Sequence, residues 1–198
     1  MNLKKLNIVT IHGIESHGDI LEAVAYEALN AMPDDNYSHG IVTPIDYPRV
    51  RALFHHFPFH RKAVEWGVAR RLHEIALMYP DFDTVVLCHS NGSRALSRVL
   101  ETAQKYYNIK SYKELGIQKV ILFGSIISRN YDFSRFPDIE FVNFAGTKDK
   151  AVLFSRGWSG RYGFKNSYPN LQEYKFNGGH SDYSKFVIPQ IMEEVQSV

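Results

Sequence analysis

Cys88 is the only cysteine in this 198-residue chain, so no disulfide can form within it. A chain without disulfides suits a reducing compartment, and a cytoplasmic location is the expectation. Charge of one sign is scarce too. Lys and Arg number 23 against 21 Asp and Glu, a net charge of +2, and no basic block marks a surface that would track phosphates, which argues against nucleic acid as a partner. Long hydrophobic runs are missing. The opening MNLKKLNIVTIHG is broken by Asn7 and His12 and is too short for a membrane span or a signal-peptide core. Repeats and low-complexity tracts are absent. No strand-to-helix turn carries G-x-G-x-x-G or a Walker-type lysine, which weighs against a nucleotide-binding fold.

The hydrophobic content, 44%, is enough for a full core, and no linker divides the sequence, so residues 1–198 are expected to form one domain. Apolar runs rich in β-branched or aromatic residues predict six strands, at 6–11, 41–45, 84–88, 119–123, 139–144 and 173–176. Helix-length segments fall between several of them, at 20–31, 62–79, 94–107 and 183–195. In the second, Val64, Val68, Leu72, Ile75 and Tyr79 form one stripe, with the charged residues largely off it, as in a helix packed on a sheet. Alternation of strand and helix implies an α/β fold: a doubly wound, mostly parallel six-stranded sheet with helices on both faces.

Chemistry enters at Thr84–Gly92, TVVLCHSNG. Ser-x-Gly triplets recur in the chain, beginning for example at Ser16 and Ser38, and the triplet alone carries little information. Ser90 differs because it stands between the strand pattern Val85, Val86, Leu87 and the helical pattern Leu96, Val99, Leu100, Ala103. A sharp strand-to-helix turn exposes a hydroxyl and aims backbone N–H groups at whatever it attacks. Cys88-His89-Ser90-Asn91-Gly92 resembles the G-x-S-x-G elbow of the α/β-hydrolase family, with Cys88 in place of the first glycine.

That resemblance implies further parts, each at a strand end. Ile11-His12-Gly13-Ile14 is similar to the His-Gly turn that positions an oxyanion-hole amide, so the N–H groups of Ile14 and Asn91 would hold the developing oxyanion. Phe141–Asp149 reads as a strand followed by a loop acid. Asp149 would orient the histidine, its competing role being a helix N-cap, and Asp132 is the alternative acid. Asn177-Gly178-Gly179-His180 follows the last strand and would supply the general base, with Ser181 read as the N-cap of the final helix. The order Ser90, Asp149, His180 is the order the family fold imposes. No cap domain fits between Gly124 and Ile139, so this would be a minimal, fairly open member of the family.

Among the nine histidines, His55, His56 and His60 cluster around Pro58 without an acidic or thiol neighbour, and no metal site is expected. That stretch reads as a loop near the pocket mouth or as a partner surface. His12 and His17 near the oxyanion turn, and Trp158, Tyr162 and Phe164 in an aromatic loop with Arg156 and Arg161, are candidate substrate contacts. The expected activity is a cofactor-independent serine esterase acting on a small-molecule ester. The alternatives are thioester or peptide substrates, or a non-catalytic binding protein of the same fold.

Overall fold

The computed structural model describes residues 4–13, 19–32, 37–47, 58–106, 110–154 and 158–198. Six strands form one sheet: β1 (Lys4–Ile11), β2 (Tyr37–Ile45), β3 (Asp83–His89), β4 (Ile117–Phe123), β5 (Glu140–Gly146) and β6 (Leu171–Phe176). Their order is β2-β1-β3-β4-β5-β6, and every adjacent pair is parallel. The expectation of a mostly parallel sheet thus becomes an all-parallel one. Every carboxyl end lies on a single edge, where side chains from distant parts of the chain can meet.

Strand periodicity builds a core on each face. Val9, Ile11, Val86, Cys88, Val120 and Leu122 point to one side, where they meet α2 (Pro58–Met78) and α3 (Asn91–Tyr106) through Val64, Val68, Leu72, Leu96 and Val99. Leu6, Ile8, Val85, Leu87, Ile121 and Phe123 point to the other. There they meet α1 (Asp19–Asn30), and α5 (Tyr183–Phe186) and α6 (Ile188–Gln196) beyond the short α4 (Ser159–Tyr162). Full burial of each such side chain contributes about 1.5–3 kcal/mol, and this double core is what holds the sheet.

Three expectations need correction. The final helix is not continuous over 183–195: it breaks at Val187, and Pro189 opens the second piece, because proline has no N–H to continue the ladder and its ring collides with the carbonyl four residues back. Ser181 does not cap it. Asp182 holds the N-cap position and spends its carboxylate on the Gly179 N–H, 2.8 Å away. Pro58 does not end a loop but starts α2, where its missing N–H costs nothing, so Pro58 and His60 are helical. His55 and His56 lie outside the described residues.

Lys119 ties the carboxyl-terminal helix to the sheet. Its ammonium, with a side chain 3% exposed, reaches the Glu194 carboxylate at 3.1 Å, the Glu194 carbonyl at 2.9 Å, the Ser197 hydroxyl at 2.7 Å and Glu140 at 3.1 Å.

Candidate functional site

Ser90 follows the last residue of β3 and precedes the first of α3, leaving no slack between strand and helix. The turn is possible only because Ser90 takes φ +51°, a left-handed conformation that costs an L-residue about 1–2 kcal/mol. Its surroundings enforce it. The Ser90 N–H bonds to Phe123 O at 2.9 Å, and its carbonyl accepts both the N–H and the hydroxyl of Ser93, at 3.1 and 2.6 Å. Ser93 Oγ in turn accepts the Ile126 N–H from the loop after β4. Gly92 is required sterically: a Cβ there would lie 2.3 Å from Ile11 O. Cys88 occupies a fully buried core position beneath the turn, and burial pushes its thiol well above the ordinary range, which makes it a packing residue.

Asp149 and His180 come from the loops after β5 and β6. Those loops are stitched together by Thr147 N–H to Phe176 O at 2.9 Å and Lys148 N–H to Gly178 O at 3.0 Å. Asp149 is fully buried and divides its oxygens. Oδ2 accepts His180 Nδ1–H at 2.7 Å, and Oδ1 accepts the Val152 N–H at 3.2 Å, capping the short 3-10 turn Ala151–Phe154. Asp149 thus contacts His180 and caps a turn at once. Asp132 is exposed and spends one carboxylate oxygen on the N–H and hydroxyl of Ser134 as the cap of another 3-10 turn.

With Nδ1–H given to Asp149, His180 keeps Nε2 as an acceptor. Its ring lies over Gly124, where an added Cβ would be 2.8 Å from it, and Gly124 follows the Phe123 that bonds Ser90. His89 clamps it from the other side, with ring centroids 4.7 Å apart and His89 Nε2–H donating to the His180 carbonyl at 3.0 Å. Burial, reinforced by His180, pushes the His89 imidazole down to about 4, so it is neutral over the physiological range. The Ser90 hydroxyl makes no hydrogen bond to any described residue, and the serine-to-histidine link is not formed in this structure. Such links often tighten only around a substrate.

The Asn91 amide nitrogen stands at the α3 N-terminus. Ile14 and His17 lie outside the described residues. His12 is buried, donates Nδ1–H to Gly13 O at 2.7 Å and stacks on Tyr47 at 4.3 Å; the Tyr47 hydroxyl donates to His12 O, so Tyr47 fixes this turn from below. Burial raises the Tyr47 hydroxyl above its ordinary value.

In the aromatic loop, Phe164 is a core residue, packed edge-on against Phe133 at 4.6 Å. Trp158 and Tyr162 are roughly half exposed and pair with each other. The loop docks through buried Ser159, whose hydroxyl bonds to Ser125 and Ile127, and through Gly160, whose backbone abuts Gly124. Arg161 reaches Asp149 O at 3.3 Å. Arg156 lies outside the described residues.

His89, Ser93 and Tyr47 escaped sequence reasoning as parts of this site. Nothing in their local sequence marks them, because the partners they hold are remote in the chain.

No family model and no curated protein matches this chain. Its fold does match solved structures. The acetyl xylan esterase catalytic core of Trichoderma reesei aligns with TM-score 0.54 at 11% identity, over 97% of this chain and 95% of that one. A Thermus thermophilus protein aligns with TM-score 0.63 at 10% identity, over 100% and 91%. A predicted CIB-like hydrolase from Thermoplasma acidophilum aligns with TM-score 0.53 at 14% identity, over 100% and 87%. The chain has an α/β-hydrolase-like fold.

Proposed function

We propose that this protein is a serine hydrolase that cleaves carboxylic esters through an acyl-enzyme on Ser90. The observation that carries the reading is the 2.7 Å pair of buried Asp149 with His180, held beside a serine at positive φ on the same sheet edge. Esterases and hydrolases among the structural neighbours support the same reading at the level of fold.

In this mechanism His180 Nε2 takes the Ser90 proton as Oγ attacks the ester carbonyl carbon. Asp149 holds the ring in the accepting tautomer and stabilises the imidazolium. The negative charge gathering on the carbonyl oxygen is met by the Asn91 N–H, assisted by the α3 dipole, and by the Ile14 N–H; a preorganised donor contributes about 3 kcal/mol in such sites. Collapse expels the alcohol, protonated by His180. Water, deprotonated by the same ring, then attacks the acyl-enzyme, releasing the acid and restoring Ser90. No cofactor enters these steps.

A second reading, a non-catalytic binder, draws on the unengaged Ser90 hydroxyl. Intact-mass labelling with a fluorophosphonate, beside turnover of a short-chain nitrophenyl ester, separates the two. One adduct and measurable turnover, both lost in Ser90→Ala, are expected. A folded protein that takes no adduct is the binder instead.

A further inference from the structure

The left-handed backbone at Ser90 has one counterpart among the described non-glycine residues: Trp158, at φ +60° and ψ 0°, which immediately precedes α4. The backbone there is held firmly. Trp158 forms an antiparallel bridge with Ser128, and its carbonyl accepts the N–H groups of Arg161 and Tyr162 at 3.2 and 3.1 Å. Glycine or asparagine would take this turn with little strain, whereas tryptophan sets its Cβ against the neighbouring carbonyl. The indole does not offset that strain by capping α4 or by full burial. It makes no capping bond, stays 45% exposed, and meets Tyr162 edge-on at 6.3 Å. A strained residue that holds a large ring half in water points to a use outside the fold.

The turn is fastened to the candidate site on two sides. Two residues after Trp158, the Gly160 backbone abuts Gly124, over which the His180 ring lies, and the Gly160 N–H bonds to Ser125 O at 2.7 Å. The next residue, Arg161, reaches the Asp149 carbonyl at 3.3 Å. Tyr162 already carries cations, with the guanidinium carbons of Arg129 and Arg161 at 5.5 and 5.2 Å from its ring centroid. Among the described residues no cation lies over the indole. The electron-rich face of an indole attracts the polarised C–H groups of a ring laid flat on it. The guanidinium groups nearby carry several N–H donors each; Arg161 gives one to Asp149 O, and Arg129 bonds to the carbonyls of Gly163 and Tyr162. A plain aryl group or alkyl chain laid there would displace water from these cations and bring no acceptor. A sugar ring brings an apolar C–H face together with hydroxyl acceptors around its rim.

We infer that Trp158 is a stacking platform for a sugar ring, with Arg161 and Arg129 at its rim, and that the substrate class is an acylated sugar. The hydroxyl freed in the first half of the reaction then belongs to the sugar, and the platform holds that leaving group beside His180, which protonates it. The use of the platform in turnover rests on the serine-hydrolase reading; the stacking of a sugar does not.

Two measurements test it. The chain has two tryptophans, so Trp66→Phe, a change at a half-exposed position of α2, leaves Trp158 as the sole indole emitter. Titration of that variant with cellotriose should change its emission saturably, while mannitol, equally polar but acyclic, should not. No saturable change with cellotriose, or the same change with mannitol, overturns the proposal; a response to benzyl alcohol without one to cellotriose assigns the indole to aryl rings and overturns it as well. The second measurement is the ratio of kcat/KM for methyl 6-O-acetylglucopyranoside to that for 2-hydroxyethyl acetate. Trp158→Ala should lower this ratio by about tenfold, mainly through KM, and Trp158→Phe should restore part of it. A ratio that Trp158→Ala leaves unchanged refutes the platform. If the parent turns over neither ester, the hydrolase reading fails and the titration alone decides the platform, since it needs no turnover.

Discussion

His89 Nε2 lies 3.0 Å from the carbonyl oxygen of His180, so the residue just before the candidate nucleophile fastens the loop that carries the candidate base. The bond needs a proton on His89 Nε2, and burial keeps the ring that carries it neutral. In the unfolded chain the same imidazole titrates near 6.5, against about 4 in the fold.

Acid sensitivity follows from that difference. Between pH 6.5 and 4 the unfolded chain binds a proton here that the folded chain refuses, so stability falls as pH drops through this window and levels off below it. From pH 6.5 to 4.5 the loss attributable to His89 is roughly 2 kcal/mol. Urea unfolding at the two pH values should show a drop smaller by that amount in His89→Asn than in the parent. An identical drop in both proteins would mean that His89 is not the buried group responsible.

Two glycines separate steric need from backbone strain. Gly92→Ala places a methyl 2.3 Å from Ile11 O and should cost about 2–4 kcal/mol, because neither strand nor helix can retreat. Gly116→Ala, at φ +65° with open space around it, should cost only about 1 kcal/mol. Equal losses in urea unfolding would contradict the close approach at the elbow.

Asp149→Asn should leave the fold intact and still remove activity. An asparagine oxygen can keep the Val152 cap, while the amide disfavours the tautomer that His180 needs. Ester kcat is expected to fall by roughly three orders of magnitude with Tm changed by only a few degrees. Asp132→Asn, by contrast, should leave kcat within about twofold, since that carboxylate serves only a turn.

Lys119 is the test of the buried ion cluster. Lys119→Met strands the Glu194 carboxylate and should destabilise by roughly 3 kcal/mol, with faster amide exchange across Ile188–Gln196. Adding Glu194→Gln should recover a good part of that, since the neutral amide can still accept from the Tyr174 hydroxyl. A double variant worse than the single one would show that geometry, not the unpaired charge, sets the cost.

Much of this fold was legible because strand and helix periods differ, and the apolar residues of β1, β3, β4 and β5 fell where the core needed them. The edges were less so. β2 begins at Tyr37, four residues before its apolar run, because a strand at the sheet's margin can expose His39 and Gly40 and still keep its ladder. The start of α3 at Asn91 was hidden for another reason: a turn with no slack leaves no loop residues to mark it. The places of Ser90, Asp149 and His180 at strand ends were readable. His89 and Ser93 were not, because their partners, His180 and Ile126, are remote in sequence, and a hydrogen bond across that distance leaves no local pattern.

The all-parallel order has a bearing on synthesis. Asp149 and His180 are 31 residues apart, and His89 and the His180 carbonyl it holds are 91 apart. Parallel neighbours need long crossovers, so such contacts close late. A chain leaving the ribosome therefore presents Ser90 before Asp149 and His180 are made, and on the proposed mechanism hydrolytic activity would report that the last strand has docked.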